Sequence, residues 1–210
     1  MTIIINGKEI EFTKGETILQ VALRSGIEIP HFCYHPALSI AGNCRICLVE
    51  VEKMPKLTIA CATEATDGMV VHTKSEKSVK AYNAVMEFLL INHPLDCPIC
   101  DEAGECKLQE YAYKYGTGIS RFDEEKNKKN KRVELGPNVM LDQDRCISCS
   151  RCIRYCDEVA KSSQLTFAKR GEKVGIETFP GMELDNPYSM NVIEICPVGA
   201  LTSRDFRFKA

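Results

Sequence analysis

Twelve cysteines fall in three groups along the 210 residues, and no other feature constrains the chain as much. The first residues, Met1-Thr2-Ile3-Ile4-Ile5-Asn6-Gly7-Lys8-Glu9, lack the basic start and small-residue cleavage site of an export signal. The expected location is therefore cytoplasmic, in a reducing compartment where disulfides do not persist and clustered thiols read as metal ligands. Each group must then sit on backbone that curls around a metal centre, and the elements between groups must bring distant ligands together.

Charge and motifs narrow the function. Lys and Arg number 27 against 29 Asp and Glu, which excludes a global basic field for nucleic acid or membrane. No apolar run approaches the roughly 18 residues of a membrane span; even Val85-Met86-Glu87-Phe88-Leu89-Leu90-Ile91 carries a charge. The phosphate loops Gly-x-Gly-x-x-Gly and Gly-x-x-x-x-Gly-Lys are absent, as is a Gly-x-Ser-x-Gly elbow. No catalytic residue is expected.

Periodicity divides the chain. Residues 1–75 read as a mixed α+β domain. Thr2–Ile5 and Glu9–Thr13 flank the hairpin signal Asn6-Gly7, and Thr17–Ser25 reads as a helix stopped by Gly26. Leu48–Glu52, Leu57–Ala60 and Met69–Thr73 read as strands. In the next segment, 76–120, Ser75 caps a helix running to about Asn92, with Val79, Tyr82, Val85, Met86, Leu89 and Leu90 on one stripe. A second helix is expected over Glu105–Tyr115, with three cysteines in the intervening loop. Segment 121–136 opens on Arg121–Arg132, nine of whose twelve residues are charged, and reads as a solvated linker or surface excursion, with an electrostatic docking patch as the alternative. Residues 137–210 are compact again and carry five cysteines.

The first group is Cys33, Cys44, Cys47 and Cys61, with ten, two and thirteen residues in the gaps. Four thiolates, three on one loop and one after a later strand, can enclose a 2Fe–2S cluster. Ala41-Gly42-Asn43 suits backbone that must turn N–H groups toward sulfur. Structural zinc competes, because a Cys-x2-Cys knuckle with two outlying cysteines also makes a zinc site.

The second group is His93, Cys97, Cys100 and Cys106. Its three cysteines leave a 4Fe–4S cubane one ligand short, and His93 stands one short loop away with Pro94 stiffening the exit. A Cys3His zinc site is the alternative. Among the other histidines, His31 and His35 flank Cys33 as packing groups, and His72 lies in a strand with no cysteine nearby.

The third group is Cys146, Cys149, Cys152, Cys156 and Cys196. The triple Cys-x2-Cys-x2-Cys marks a cubane, since three thiolates on one tight loop cap three irons. Cys156 is followed by Asp157, whereas Cys196 is followed by Pro197, as the remote ligand of ferredoxins is. Cys196 is therefore assigned as the fourth ligand, and Cys156 as a small buried residue. Charged neighbours of the ligands, Arg45, Lys107, Arg151 and Arg154, would raise local potentials or mark where subunits dock.

This order of three motifs, ending in Cys-Pro-Val-Gly-Ala-Leu, resembles the amino-terminal iron–sulfur region of the large, G-type subunit of respiratory complex I, NADH:quinone oxidoreductase. Similar regions occur in diaphorase subunits of soluble NAD-reducing hydrogenases and in some formate dehydrogenases. The resemblance implies a β-grasp 2Fe–2S ferredoxin domain, a helical His(Cys)3 4Fe–4S segment and a ferredoxin-like 4Fe–4S domain. It also implies one 2Fe–2S and two 4Fe–4S clusters that take electrons from the flavin of an NADH-binding partner subunit. The order would be the Cys33 set, the Cys146 set and the His93 set, then a downstream iron–sulfur subunit and quinone. Location would be peripheral, on the cytoplasmic face of the membrane through those partners. Typical members continue into a further large domain, so a chain ending at Ala210 is expected to be a shortened or split form, or part of a smaller complex.

Overall fold

Asn6 and Gly7 take φ of 53° and 81°, the paired left-handed geometry that reverses a two-residue hairpin. In the computed structural model, which describes residues 1–207, the hairpin joins β1 (Thr2–Ile5) to β2 (Lys8–Glu11), with Ile5 opposite Lys8. The last three residues of the expected 137–210 segment lie outside the described residues. Helix α1 (Ile18–Arg24) starts at a reciprocal Thr17/Gln20 capping box and presses Ile18, Leu19, Val21 and Ala22 into the core.

The first sheet continues with β3 (Leu48–Val51), β4 (Thr58–Ile59) and β5 (Met69–His72), in the order β2-β1-β5-β3-β4. β1 and β5 run parallel, and β3 is antiparallel to β5. Parallel neighbours require a long crossover. Here that crossover contains α1 and the first cysteine group, which is how a local hairpin comes to frame a distant loop.

Helix α2 (Glu76–Leu90) is capped by Ser75 and buries Tyr82 and Met86. Its apolar stripe is narrower than expected. Val79 is exposed, and Ser78 is buried in its place. The Ser78 hydroxyl donates to the carbonyl of His72 and accepts from the amide of Glu50, satisfying backbone of β5 and β3 that an apolar side chain would strand. After a single 3-10 turn at Cys97–Ile99 comes α3 (Lys107–Tyr115). Tyr111 of α3 meets Phe32 edge-on at 5.3 Å, and Tyr115 meets Tyr82 at 5.2 Å.

The charged run 121–132 contains no regular element, yet it is fastened along its length. Arg121 pairs with Glu87, Lys131 with Asp96, and Lys129 donates its ammonium to the Val174 carbonyl. Beyond it, β6 (Val133–Glu134), β7 (Val139–Leu141) and β10 (Leu201–Ser203) form a sheet ordered β10-β7-β6. Helices α4 (Arg151–Glu158) and α5 (Asn191–Ile195) pack together, and β8 (Leu165–Ala168) pairs with β9 (Gly175–Thr178).

Two apolar cores result, and residues of the first segment contribute to both. Phe32, Cys33, Leu38 and Ile46 come from the first segment but pack in the core of the second half, with Leu108, Tyr111, Cys149 and Val198. Phe32 is fully buried there, worth about 2 kcal/mol. The first cysteine loop is thus held between both halves. No helix among the described residues is long and apolar enough to cross a membrane.

Candidate metal centres

The first group converges where the crossover loop meets the ends of β3 and β4. The amide of Cys33 donates to Cys44 Sγ at 3.4 Å, with Gly42 and Arg45 in left-handed conformations on either side of Cys44. Cys33, Cys47 and Cys61 are almost fully buried. Hydrogen bonds from the thiols of Cys44 and Cys61 pull Cys33 down, and Cys61 does the same to Cys47. The donors Cys44 and Cys61 are pushed up in turn by those thiolates and by burial. Four sulfurs packed this closely cannot all ionise unless a cationic centre stands among them, which fits a thiolate-ligated cluster.

The second group surrounds a groove. His93 follows α2, Cys97 opens the 3-10 turn, Cys100 closes it and Cys106 caps α3. All four line one groove together with Lys126, Arg145 and Gly199. Burial, with the charges of Lys126 and Arg145, lowers the pKa of His93 to about 4, so the imidazole is neutral, the form that ligates metal. Burial pushes the thiols of Cys100 and Cys106 up. Lys126, from the charged run, donates to the carbonyls of Leu90, Ile91 and His93 at 2.8, 3.0 and 2.9 Å. It closes the end of α2 that delivers His93.

The third group surrounds a small, largely apolar cavity lined by Cys146, Cys149, Cys152 and Cys196. Ser148 and Ser150 are left-handed, with φ of 53° and 64°, and turn the loop so that successive thiols face inward. Burial and the neighbouring thiols push Cys146 and Cys149 to about 11 and Cys196 to about 12, and raise Cys152 well above its usual value. Cys156 lies one turn further along α4, fully buried in the core, and does not line this cavity. Among the described residues no three His, Cys, Asp or Glu side chains gather as they would around a single ion.

The three groups touch in series. Asn43 Nδ2 donates to the carbonyl of Ser148 at 3.1 Å, joining the loops of the first and third groups. Arg154 donates to the carbonyls of Cys33 and Ser39, and Arg151 to that of Tyr34 at 2.6 Å. These two arginines therefore clamp one part of the chain to another. Between the third and second groups stands Gly199, where an added Cβ would lie 2.3 Å from Cys100 Sγ. Arg145, beside Cys146 in sequence, pairs with Asp96, beside Cys97, at 3.3 Å.

The remaining sequence candidates lie outside these rings. His31 contacts the Ile29 carbonyl at 2.9 Å, His35 accepts from the amide of Ala37, and His72 pairs with Glu52. Arg45 is exposed and Lys107 half-buried. Two residues escape sequence reasoning. Lys126 is one charge among nine in its run, and the position of Arg145 next to Cys146 points to the wrong centre.

A thiol-rich β-sheet domain followed by a helical segment and a ferredoxin-like half defines an iron–sulfur protein of mixed α+β class. Three family models match along it: a 2Fe–2S iron–sulfur cluster binding domain over residues 1–76, the NADH-ubiquinone oxidoreductase-G iron–sulfur binding region over 83–121, and the ferredoxin-like domain of NADH-quinone oxidoreductase subunit 3 over 136–202. The G-type subunit of NADH-quinone oxidoreductase from Rickettsia typhi is 49% identical over 208 residues, which are 99% of this chain and 31% of that protein. The mitochondrial 78 kDa subunit of NADH-ubiquinone oxidoreductase from Candida albicans is 46% identical over 209 residues, 99% of this chain and 29% of that one. A chain in the crystal structure of an NAD+-reducing NiFe hydrogenase in the H2-reduced state superposes with a TM-score of 0.88 at 31% identity, covering 100% of this chain and 89% of that one. The chain belongs to the family of the amino-terminal iron–sulfur region of the G-type NADH-quinone oxidoreductase subunit. It spans just under a third of the length of the curated relatives it matches.

Proposed function

We propose that this chain is an electron relay within an NADH dehydrogenase. It holds one 2Fe–2S cluster on Cys33, Cys44, Cys47 and Cys61, and two 4Fe–4S clusters. One of these takes Cys146, Cys149, Cys152 and Cys196, and the other His93, Cys97, Cys100 and Cys106. The reading rests on the direct contact between neighbouring ligand loops, Asn43 with Ser148 and Gly199 with Cys100. Bound clusters of these types supply one-electron redox chemistry. The chain's own part is to hold the ligands rigidly, exclude water and keep adjacent centres close, so that little reorganises when charge arrives.

In this reading electrons enter at the Cys33 set from a flavin on an NADH-binding subunit, pass the Cys146 set and leave from the His93 set to a downstream iron–sulfur subunit and quinone. The chain is held peripherally at the cytoplasmic face of the membrane by those partners. The near-complete overlap with the hydrogenase chain favours a second reading, an iron–sulfur subunit of a soluble NAD-reducing hydrogenase. The subunits that copurify decide between the two.

Anaerobic purification followed by iron, acid-labile sulfide and zinc analysis tests the cluster assignment. About ten irons and about ten sulfides per chain are expected, from one two-iron and two four-iron centres. About six of each removes one cubane from the scheme. Stoichiometric zinc without sulfide ends the electron-relay reading.

A further inference from the structure

We propose that Arg145 sets the reduction potential of the His93 centre, acting as a fixed buried cation on a centre other than that of its sequence neighbour Cys146. The inference rests on the cluster assignment above.

Arg145 is 3% exposed, and its guanidinium lines the groove of His93, Cys97, Cys100 and Cys106 but not the cavity of the Cys146 group. Three contacts aim it there. Nη2 reaches Asp96 Oδ2 at 3.3 Å, one residue before Cys97. Nη1 reaches the carbonyl of Gly199 at 3.5 Å, the residue against which Cys100 packs. Nε pairs with Asp142 Oδ2 at 3.5 Å.

The other charges facing this point are the carboxylates Asp144, near His93, and Asp101, near Cys100, and the cations Lys126, Lys131 and the buried Arg207. Asp96 is shared with Lys131 at 2.7 Å and Asp142 with Arg207 at 3.7 Å. Lys131 is 46% exposed, so water screens it. Lys126 is bound to three carbonyls at the end of α2. Among the described residues Arg145 is thus the more buried of the two cations that line the groove. Reduction of a centre in the groove adds negative charge, and a cation in a poorly solvated position stabilises that charge. Removing the cation while leaving Asp96 and Asp142 in place makes the local field more negative.

The test is an EPR-monitored redox titration of both four-iron centres in the full-length, cluster-loaded protein and its variants. Arg145→Gln is expected to lower the potential of the His93 centre by more than that of the Cys146 centre, at unchanged iron content. Arg145→Lys is expected to keep most of the original value. Asp142→Asn is expected to raise the His93 potential, and combined with Arg145→Gln to return it toward the starting value. A merely structural role would not produce this charge-by-charge compensation. An unmoved His93 potential, or a larger shift at the Cys146 centre, overturns the proposal. If Arg145→Gln fails to fold, Asp142→Asn decides alone: a potential that stays or falls overturns it. Absence of any signal from the His93 centre in the unsubstituted protein instead overturns the cluster assignment, and this proposal with it.

Discussion

Asn43 Nδ2 donates a hydrogen bond to the carbonyl of Ser148 at 3.1 Å, across 105 residues of sequence. Asn43 precedes Cys44, and Ser148 lies between Cys146 and Cys149. One hydrogen bond therefore spans two ligand loops built by different sheets. Arg154 supports it by donating to the carbonyl of Cys33 from α4, two residues past Cys152.

Loosening this joint should slow transfer between the first and third centres while leaving each intact. Asn43→Ala removes a bond worth about 1 kcal/mol. Arg154→Met removes three side-chain hydrogen bonds, of which the two to the carbonyls of Cys33 and Ser39 are worth about 3 kcal/mol together. The expected result is full iron content with weakened magnetic interaction between the two reduced centres, seen by EPR. The effect should be larger for Arg154→Met. Unchanged interaction in both variants would count against the joint.

Gly199 leaves room for a sulfur. An alanine there would bring Cβ to 2.3 Å from Cys100 Sγ and 3.0 Å from Glu102 Cβ, so the turn bearing Cys100 must move. Gly199→Ala should cost about 1–3 kcal/mol of stability. It should perturb the spectrum of the His93 centre and spare that of the Cys33 centre. Thermal unfolding together with EPR checks both halves of the expectation.

Lys126 closes the end of α2 on three carbonyls, that of His93 among them. Lys126→Met leaves those carbonyls without their cation and should cost about 2 kcal/mol. The His93 centre should become labile, with iron lost from it first on mild chelation. Lys126→Arg should restore much of its retention. Iron release followed over time, variant against parent, measures this.

Cys156 and Cys196 make opposite predictions. Cys156→Ala trims a fully buried side chain that does not line the third cavity, so about 1–2 kcal/mol of stability should go while iron stays. Cys196→Ala removes a cavity-lining thiol and should lose the Cys146 centre's iron. Iron per chain in the two variants separates them, and the reverse pattern would exchange their roles.

Much of the architecture is legible in the sequence because it is local. Asn6-Gly7 can reverse a hairpin without strain, Thr17 and Gln20 cap one another, and Ser75 opens α2, each within a few residues. Val79 reads as core by periodicity, and it is not, because only tertiary packing turns Ser78 toward the unsatisfied backbone of β3 and β5. The charged run reads as solvated since charge density implies solvation on average, whereas Lys126 and Lys129 find particular carbonyls.

The sequence by itself determined which side chains are the candidate ligands, because cysteine and histidine spacing on a loop limits what centre the loop can enclose. Tertiary structure alone decided how the centres meet. Gly199 against Cys100, Asn43 against Ser148 and Arg145 turned away from Cys146 toward Asp96 are contacts between distant segments. Such contacts follow from how two cores pack against each other, and no local pattern encodes that packing.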